Sequence, residues 1–231
     1  VIMDGFHLGL GYGPNGIAPA PGVATTVVDQ IVRLDADAPT MFSRLKESCR
    51  RAVRKAERSG ATVQDATSTA DAVDRYYELA KQSAKRSGET LPEKAYYRAI
   101  HDGLSTSCQC KFLFVRIDNT DVAASILLVY KDGIHFLSGV SAPKFLHLRV
   151  NDYLHWSAIK LGHEAGYTHY RLGPYFPSVP KGWPIEKLSR FKTKFGAKQQ
   201  TIIQGSLFRK PQRYAPVAAE YCKQIASVQV E

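Results

Sequence analysis

The chain has 231 residues, 44% of them apolar and 23% charged, enough for one large domain or one domain with part of another. No apolar run nears the ~18 residues that span a bilayer, and four cysteines are too few for a disulfide framework, which points to a reducing, cytoplasmic compartment. The net charge of +10 implies an anionic partner: a nucleic acid, a phosphate-bearing cofactor or nucleotide-linked substrate, or an acidic membrane surface.

Residues 1–30 carry Gly5, Gly9, Gly11, Gly13, Gly16 and Gly22 with Pro14, Pro19 and Pro21, so they read as a lead-in rather than a helix. The chain starts at Val1, and this stretch is expected to be the end of a preceding domain, with the main domain over 31–231. A short strand is expected over Thr25–Leu34. The spacing then predicts one helix over Pro39–Ser59, with Phe42, Leu45, Cys49, Val53 and Ala56 on its apolar stripe and Gly60 past its end. Its other surface holds Arg50, Arg51, Arg54, Lys55 and Arg58, a clustering of like charge that suits anion binding better than simple solvation. Helices are expected over Thr69–Ser87 and Pro92–Leu104. A three-strand antiparallel meander follows: Phe112–Ile117, Val122–Tyr130 and Ile134–Val140, joined by Asp118-Asn119-Thr120-Asp121 and Lys131-Asp132-Gly133. Next come a helix over Val150–Ala165, a strand over His169–Leu172, a Gly/Pro/aromatic loop over Gly173–Pro184, and a helix over Ile185–Phe195 stopped by Gly196. A strand over Gln200–Phe208 and a tail helix over Ala215–Ser227 complete the chain. This is an α+β order.

Three stretches carry a family resemblance. They are Arg50-Arg51-Ala52-Val53-Arg54-Lys55-Ala56-Glu57-Arg58-Ser59-Gly60, then Asn151-Asp152-Tyr153-Leu154-His155-Trp156-Ser157-Ala158-Ile159 with Gly166-Tyr167, and Arg190-Phe191-Lys192-Thr193-Lys194-Phe195-Gly196. In order and spacing, from about Val27 to Phe208, the chain resembles the Fem-type (FemAB-like) peptidyltransferases and related acyltransferases of the GNAT superfamily. The resemblance implies a GNAT fold: a mixed, mostly antiparallel central sheet flanked by helices, in which two central strands splay apart and the donor's acyl group lies at the gap. It implies transfer of an aminoacyl group from aminoacyl-tRNA, or an acyl group from acyl-CoA, to an amine acceptor such as a nucleotide-linked cell-wall precursor or a peptide. By the same resemblance Lys192 stabilises the tetrahedral oxyanion and Phe191 shapes its pocket. Lys194, Phe195 and Gly196 read as a surface lysine, a packing residue and a helix stop.

Candidate substrate- or phosphate-binding residues are Arg50, Arg51, Arg54, Lys55, Asn151, Tyr153, Arg171 and Tyr175. Only one side of a helix can face a ligand, so the pairs Arg50/Arg54 and Arg51/Lys55 compete. Relatives carry an acid where this chain has Arg171, within Tyr170-Arg171-Leu172-Gly173. Arg171 therefore fits a different acceptor or pairs with an acidic one. The Gly-rich pyrophosphate loop of ordinary GNAT enzymes is replaced by Ala142-Pro143-Lys144-Phe145-Leu146-His147-Leu148-Arg149, and no long coiled-coil arm is present. No His/Cys spacing suits a metal and no Gly-x-Ser-x-Gly elbow suits a hydrolase. The alternatives are an acyl-CoA-dependent N-acetyltransferase of a small molecule or polysaccharide, and a non-catalytic RNA- or phosphate-binding module.

Overall fold

A computed structural model of the chain describes residues 22–176 and 184–207. Seven strands form one sheet in the order β2-β3-β4-β5-β6-β1-β7. They are β1 (Gly22–Arg33), β2 (Thr62–Asp65), β3 (Cys110–Ile117), β4 (Thr120–Tyr130), β5 (Gly133–Ser141), β6 (His169–Tyr175) and β7 (Lys198–Leu207). The helices are α1 (Ala38–Arg44), α2 (Glu47–Arg58), α3 (Ala72–Ser87), α4 (Lys94–Leu104), α5 (Val150–Glu164) and α6 (Pro184–Lys192). The chain divides into two units, 1–28 with 200–231, and 29–199. The second unit holds helices α1 to α6 and the hydrophobic core. The expected tail helix over Ala215–Ser227 lies outside the described residues.

The meander forms as its turns dictate. Asp118 and Asn119 link β3 to β4 with φ of 47° and 60°, the left-handed pair that a two-residue hairpin favours and that Asp and Asn tolerate. β2 pairs antiparallel with β3 through Thr62↔Arg116 to Asp65↔Leu113, a strand the sequence reading missed because its four residues carry no apolar alternation. β5 is antiparallel to β4 but parallel to β6, so the sheet is mixed.

The expected single helix over Pro39–Ser59 is two helices. Leu45 ends α1 in an extended conformation (φ −65°, ψ 143°), and its side chain is buried in the core. The Lys46 N–H donates to the Lys194 carbonyl at 2.9 Å. Tertiary packing has therefore overridden a continuous 3.6-residue pattern. Asp37 caps α1, accepting from the Thr40 N–H at 2.9 Å.

One core lies between the sheet and helices α2 and α5. It joins Leu45, Cys49 and Val53 of α1–α2 to Leu113, Val115 and Leu127 of the meander and Leu154, Ala158 and Ile159 of α5. α5 is buried on nearly all sides, including Asp152, His155 and Ser157. The other face of the sheet carries α3 and α4, where Tyr76, Tyr97 and Phe112 meet as tilted and edge-on rings. Arg75 ties α3 to the β3–β4 hairpin with a two-pronged bond to Asp121 at 2.7 and 2.9 Å.

Candidate active site

β5 and β6 pair only over Gly133↔His169, Ile134↔Tyr170 and His135↔Arg171. Beyond those rows β5 runs to Ser141 and β6 to Tyr175 without pairing to each other. A register shift opposite Ile126/Leu127 bulges β5 where the two strands part. Unpaired strand edges are a template for another extended segment, so the gap can hold a donor's acyl arm between its backbone N–H and C=O groups. Around it, α5 contributes His155, whose ring lies 4.7 Å from that of Phe136. Asn151 Nδ2 donates to Ser141 Oγ at 3.3 Å, and from the α3 face the Tyr76 hydroxyl donates to Ser138 Oγ at 2.9 Å.

α6 brings Lys192 to β6 past the last paired row. The Lys192 ammonium donates to the Pro174 carbonyl at 3.0 Å, and the Phe176 N–H donates to the buried Ser189 hydroxyl at 3.3 Å, so α6 is fastened to the end of β6 twice. Lys192 is only 7% exposed. Gly173 makes room for it. That glycine has a φ of 89°, and a Cβ there would lie 3.3 Å from Lys192 Nζ. Burial lowers the Lys192 pKa to about 8, with Asp29 opposing the shift and Arg171 adding to it. Asp29 is fully buried and ion-paired to Arg171. A cation that is desolvated, hydrogen-bonded on one side and fixed in place suits charge developing on an oxygen.

Phe191 packs into a ring cluster with His155 (5.5 Å) and Phe195 (5.2 Å). His155 shares a 2.8 Å hydrogen bond with the Tyr170 hydroxyl. Burial, with Lys192 and Lys194 nearby, lowers its pKa to about 3, so His155 is neutral and sets the wall of the site.

The basic helix resolves into two faces. Arg50 donates through Nη1 to the Ser43 and Leu45 carbonyls, closing the end of α1, and the Arg54 guanidinium lies 5.4 Å from the centre of the Phe42 ring. Arg51 and Lys55 instead line a cavity with Arg149, Asp152 and Lys194. Tyr153 is buried, and burial raises its pKa. Tyr175 ends β6, half-buried. Arg171 lies beside Asp29 of this same chain. Three partners escaped the sequence reading: Asp29, Arg149 and Lys194. A carboxylate inside the apolar run Val27-Val28-Asp29-Gln30-Ile31-Val32 was the available signal for the first.

A model of the Acetyltransferase (GNAT) domain family matches residues 43–179. The chain belongs to that GNAT family. Among solved structures, FemX matches with a TM-score of 0.72 and 16% identity, over 83% of this chain and 64% of that one. The C-terminal domain of a putative lysylphosphatidylglycerol synthetase from Agrobacterium fabrum matches at 0.60 and 17%, over 80% and 61%. L-PGS from Bacillus licheniformis matches at 0.57 and 16%, over 89% and 67%. At these identities the likeness is one of fold, and this GNAT chain spans less than two thirds of the FemX structure's length. No curated protein sequence matches the chain. The sheet of this GNAT domain is the mixed, mostly antiparallel one expected.

Proposed function

We propose that this GNAT domain transfers an aminoacyl or acyl group to an amine at the gap between β5 and β6, with Lys192 as the oxyanion-stabilising group. The supporting observation is the buried Lys192 ammonium beside Gly173 and Pro174, where β6 has parted from β5. The acceptor nitrogen attacks the acyl carbonyl carbon and a C–N bond forms. The carbonyl electron pair moves to oxygen, where the Lys192 ammonium offsets the new charge. Collapse of the tetrahedral adduct breaks the bond to the leaving oxygen or sulfur, which departs with the proton lost by the amine. One preorganised donor of this kind contributes roughly 3 kcal/mol. Phe191 walls the site.

The donor is an aminoacyl-tRNA or an acyl-CoA, and the acceptor is an amine, with a nucleotide-linked precursor or a peptide in keeping with the Fem-like fold. Aminoacyl transfer is favoured by that fold and by the turn at Pro143–Leu148, a 3-10 helix where a Gly-rich loop would present backbone N–H groups to a pyrophosphate. The GNAT family match favours acyl-CoA as the second reading. Both readings place the domain in the cytoplasm, where such donors are made. Among the described residues no helix is long and apolar enough to cross a membrane.

Lys192→Ala tests the reading. Transfer should fall at least tenfold while donor binding persists; unchanged transfer removes Lys192 from the mechanism. Ribonuclease treatment of an active extract separates the donors, since loss of transfer excludes acyl-CoA as the sole donor.

A further inference from the structure

Lys194 is anchored at both ends. Its carbonyl accepts from the Lys46 N–H at 2.9 Å, which joins it to the start of α2. Its ammonium is ion-paired to Asp152 in the first turn of α5. Asp152 is 3% exposed and the Lys194 side chain 20%, so the pair is largely withdrawn from water. From there the Lys194 ammonium lies 4.1 Å from the centre of the Phe191 ring, within cation–π range. Asp152 is held in its turn by α2. Burial, then the Asp152 carboxylate, push the Cys49 thiol up to about 12, and the thiol bonds to that carboxylate, so Cys49 remains a protonated donor.

The segment that carries Lys192 is thus tied on two sides. β6 holds it through the Lys192–Pro174 and Phe176–Ser189 hydrogen bonds. α2 and α5 hold it through Lys194. Phe191 lies between, with His155 at 5.5 Å and Phe195 at 5.2 Å, and its neighbour in sequence is Lys192, 7% exposed. Stability does not account for the Asp152–Lys194 pair, because a buried ion pair contributes about as much as an apolar pair of the same volume, or less. An apolar pair would leave the end of α6 free to slide. A charge bound to Asp152 sets one geometry for the ammonium against the Phe191 ring.

We propose that Asp152 and Lys194 are positioning residues: their ion pair clamps Phe191 in place and thereby keeps the Lys192 ammonium desolvated beside the gap between β5 and β6. They act through Phe191 and Lys192, without touching the reacting atoms. The clamp rests on the acyl-transfer reading only for its consequence in catalysis.

Competitive labelling of the full chain with trace acetic anhydride, from about pH 6 to pH 11, tests it without any substrate. Mass spectrometry at Lys192 reads the midpoint of its titration, which should lie near 8 in the parent. Asp152→Asn should raise that midpoint by about one pH unit or more, as the released segment lets water reach the ammonium. The sign decides. Removing an anion acts directly to lower a lysine's pKa, so a rise reports loss of position. Lys194→Arg keeps a cation on the ring and should titrate like the parent. Lys46→Gln loses only an exposed contact to Thr193 and should also titrate like the parent. The double variant Asp152→Asn/Lys194→Met leaves no unpaired buried charge, so it guards against misfolding; its midpoint should rise as in Asp152→Asn. An unchanged or lowered midpoint in both, or an equal rise in Lys46→Gln, overturns the clamp. In transfer assays both variants should lose at least tenfold in kcat, with KM for the donor within twofold. Unchanged kcat in both, with Lys192→Ala impaired, overturns the positioning role. If the midpoint rises while Lys192→Ala leaves transfer intact, the transfer reading fails and the clamp stands.

Discussion

At Lys192, burial and charge meet at the group proposed to stabilise the oxyanion. Its pKa in the folded chain, about 8, lies below the usual lysine value of 10.5. A basic group lowered in this way weakens the folded state while it must carry its proton. The penalty is present in full below about pH 8 and fades as pH rises toward 10.5. Lys192→Met should therefore be more stable than the parent at pH 7, by on the order of 3 kcal/mol at most, and the difference should shrink to about 1 kcal/mol by pH 10. Urea denaturation of both proteins at the two pH values measures it, and a variant less stable at pH 7 would refute the desolvation account. With Lys192 as the proposed oxyanion-stabilising group, the charged form is the one that serves transfer, so activity should fall as pH rises through about 8. Arg171→Gln removes a nearby cation and leaves Asp29 to favour the ammonium, so the falling limb should move to higher pH. A limb that stays in place would uncouple Arg171 from Lys192. The pair Asp29–Arg171 also answers the departure seen at Arg171, since the acid it pairs with comes from the neighbouring part of the same chain.

At the level of elements, the break between α1 and α2 matters most. It lets Leu45 enter the core and lets Lys46 bond to the Lys194 carbonyl, which docks the segment after α6 onto the start of α2. Gly196 ends that segment with a φ of 71°, and a Cβ there would lie 3.0 Å from the Arg44 carbonyl oxygen. Gly196→Ala should cost about 1–3 kcal/mol, combining left-handed strain with a clash against backbone. Chemical denaturation reads this directly, and a cost below ~0.5 kcal/mol would show that α1 moves aside. Arg50→Ala should cost about 1 kcal/mol by leaving the Ser43 and Leu45 carbonyls uncapped.

For the whole molecule, the charge of +10 is put to use unevenly. Arg50 closes a helix, Arg54 covers a ring and Arg75 clamps a hairpin, while Arg51, Lys55, Arg149 and Lys194 converge on one cavity. If the donor is RNA, its KM should rise at least tenfold between 50 and 200 mM salt, since each neutralised phosphate contributes a slope of about −0.7. A KM that rises less than twofold would argue for a compact donor.

The sequence by itself determined the strands of the meander, because Phe112–Ile117 and Val122–Tyr130 are apolar runs bounded by the residues that two-residue turns require. It also determined α3, α4 and α5 to within a few residues, and the stop at Gly196, because periodicity and left-handed glycine are local properties. The family followed from three local motifs. Only the tertiary structure decided which face of the basic helix is free. Arg50 and Arg51 are equivalent in charge and propensity, and what separates them is the position of α1. It alone brought Asp29, Arg171 and Lys192 together across 163 residues of the 231-residue chain, and it alone turned Lys194, by sequence a surface lysine, into a partner of buried Asp152. Burial and charge pairing arise from contacts between distant segments, which no local pattern encodes.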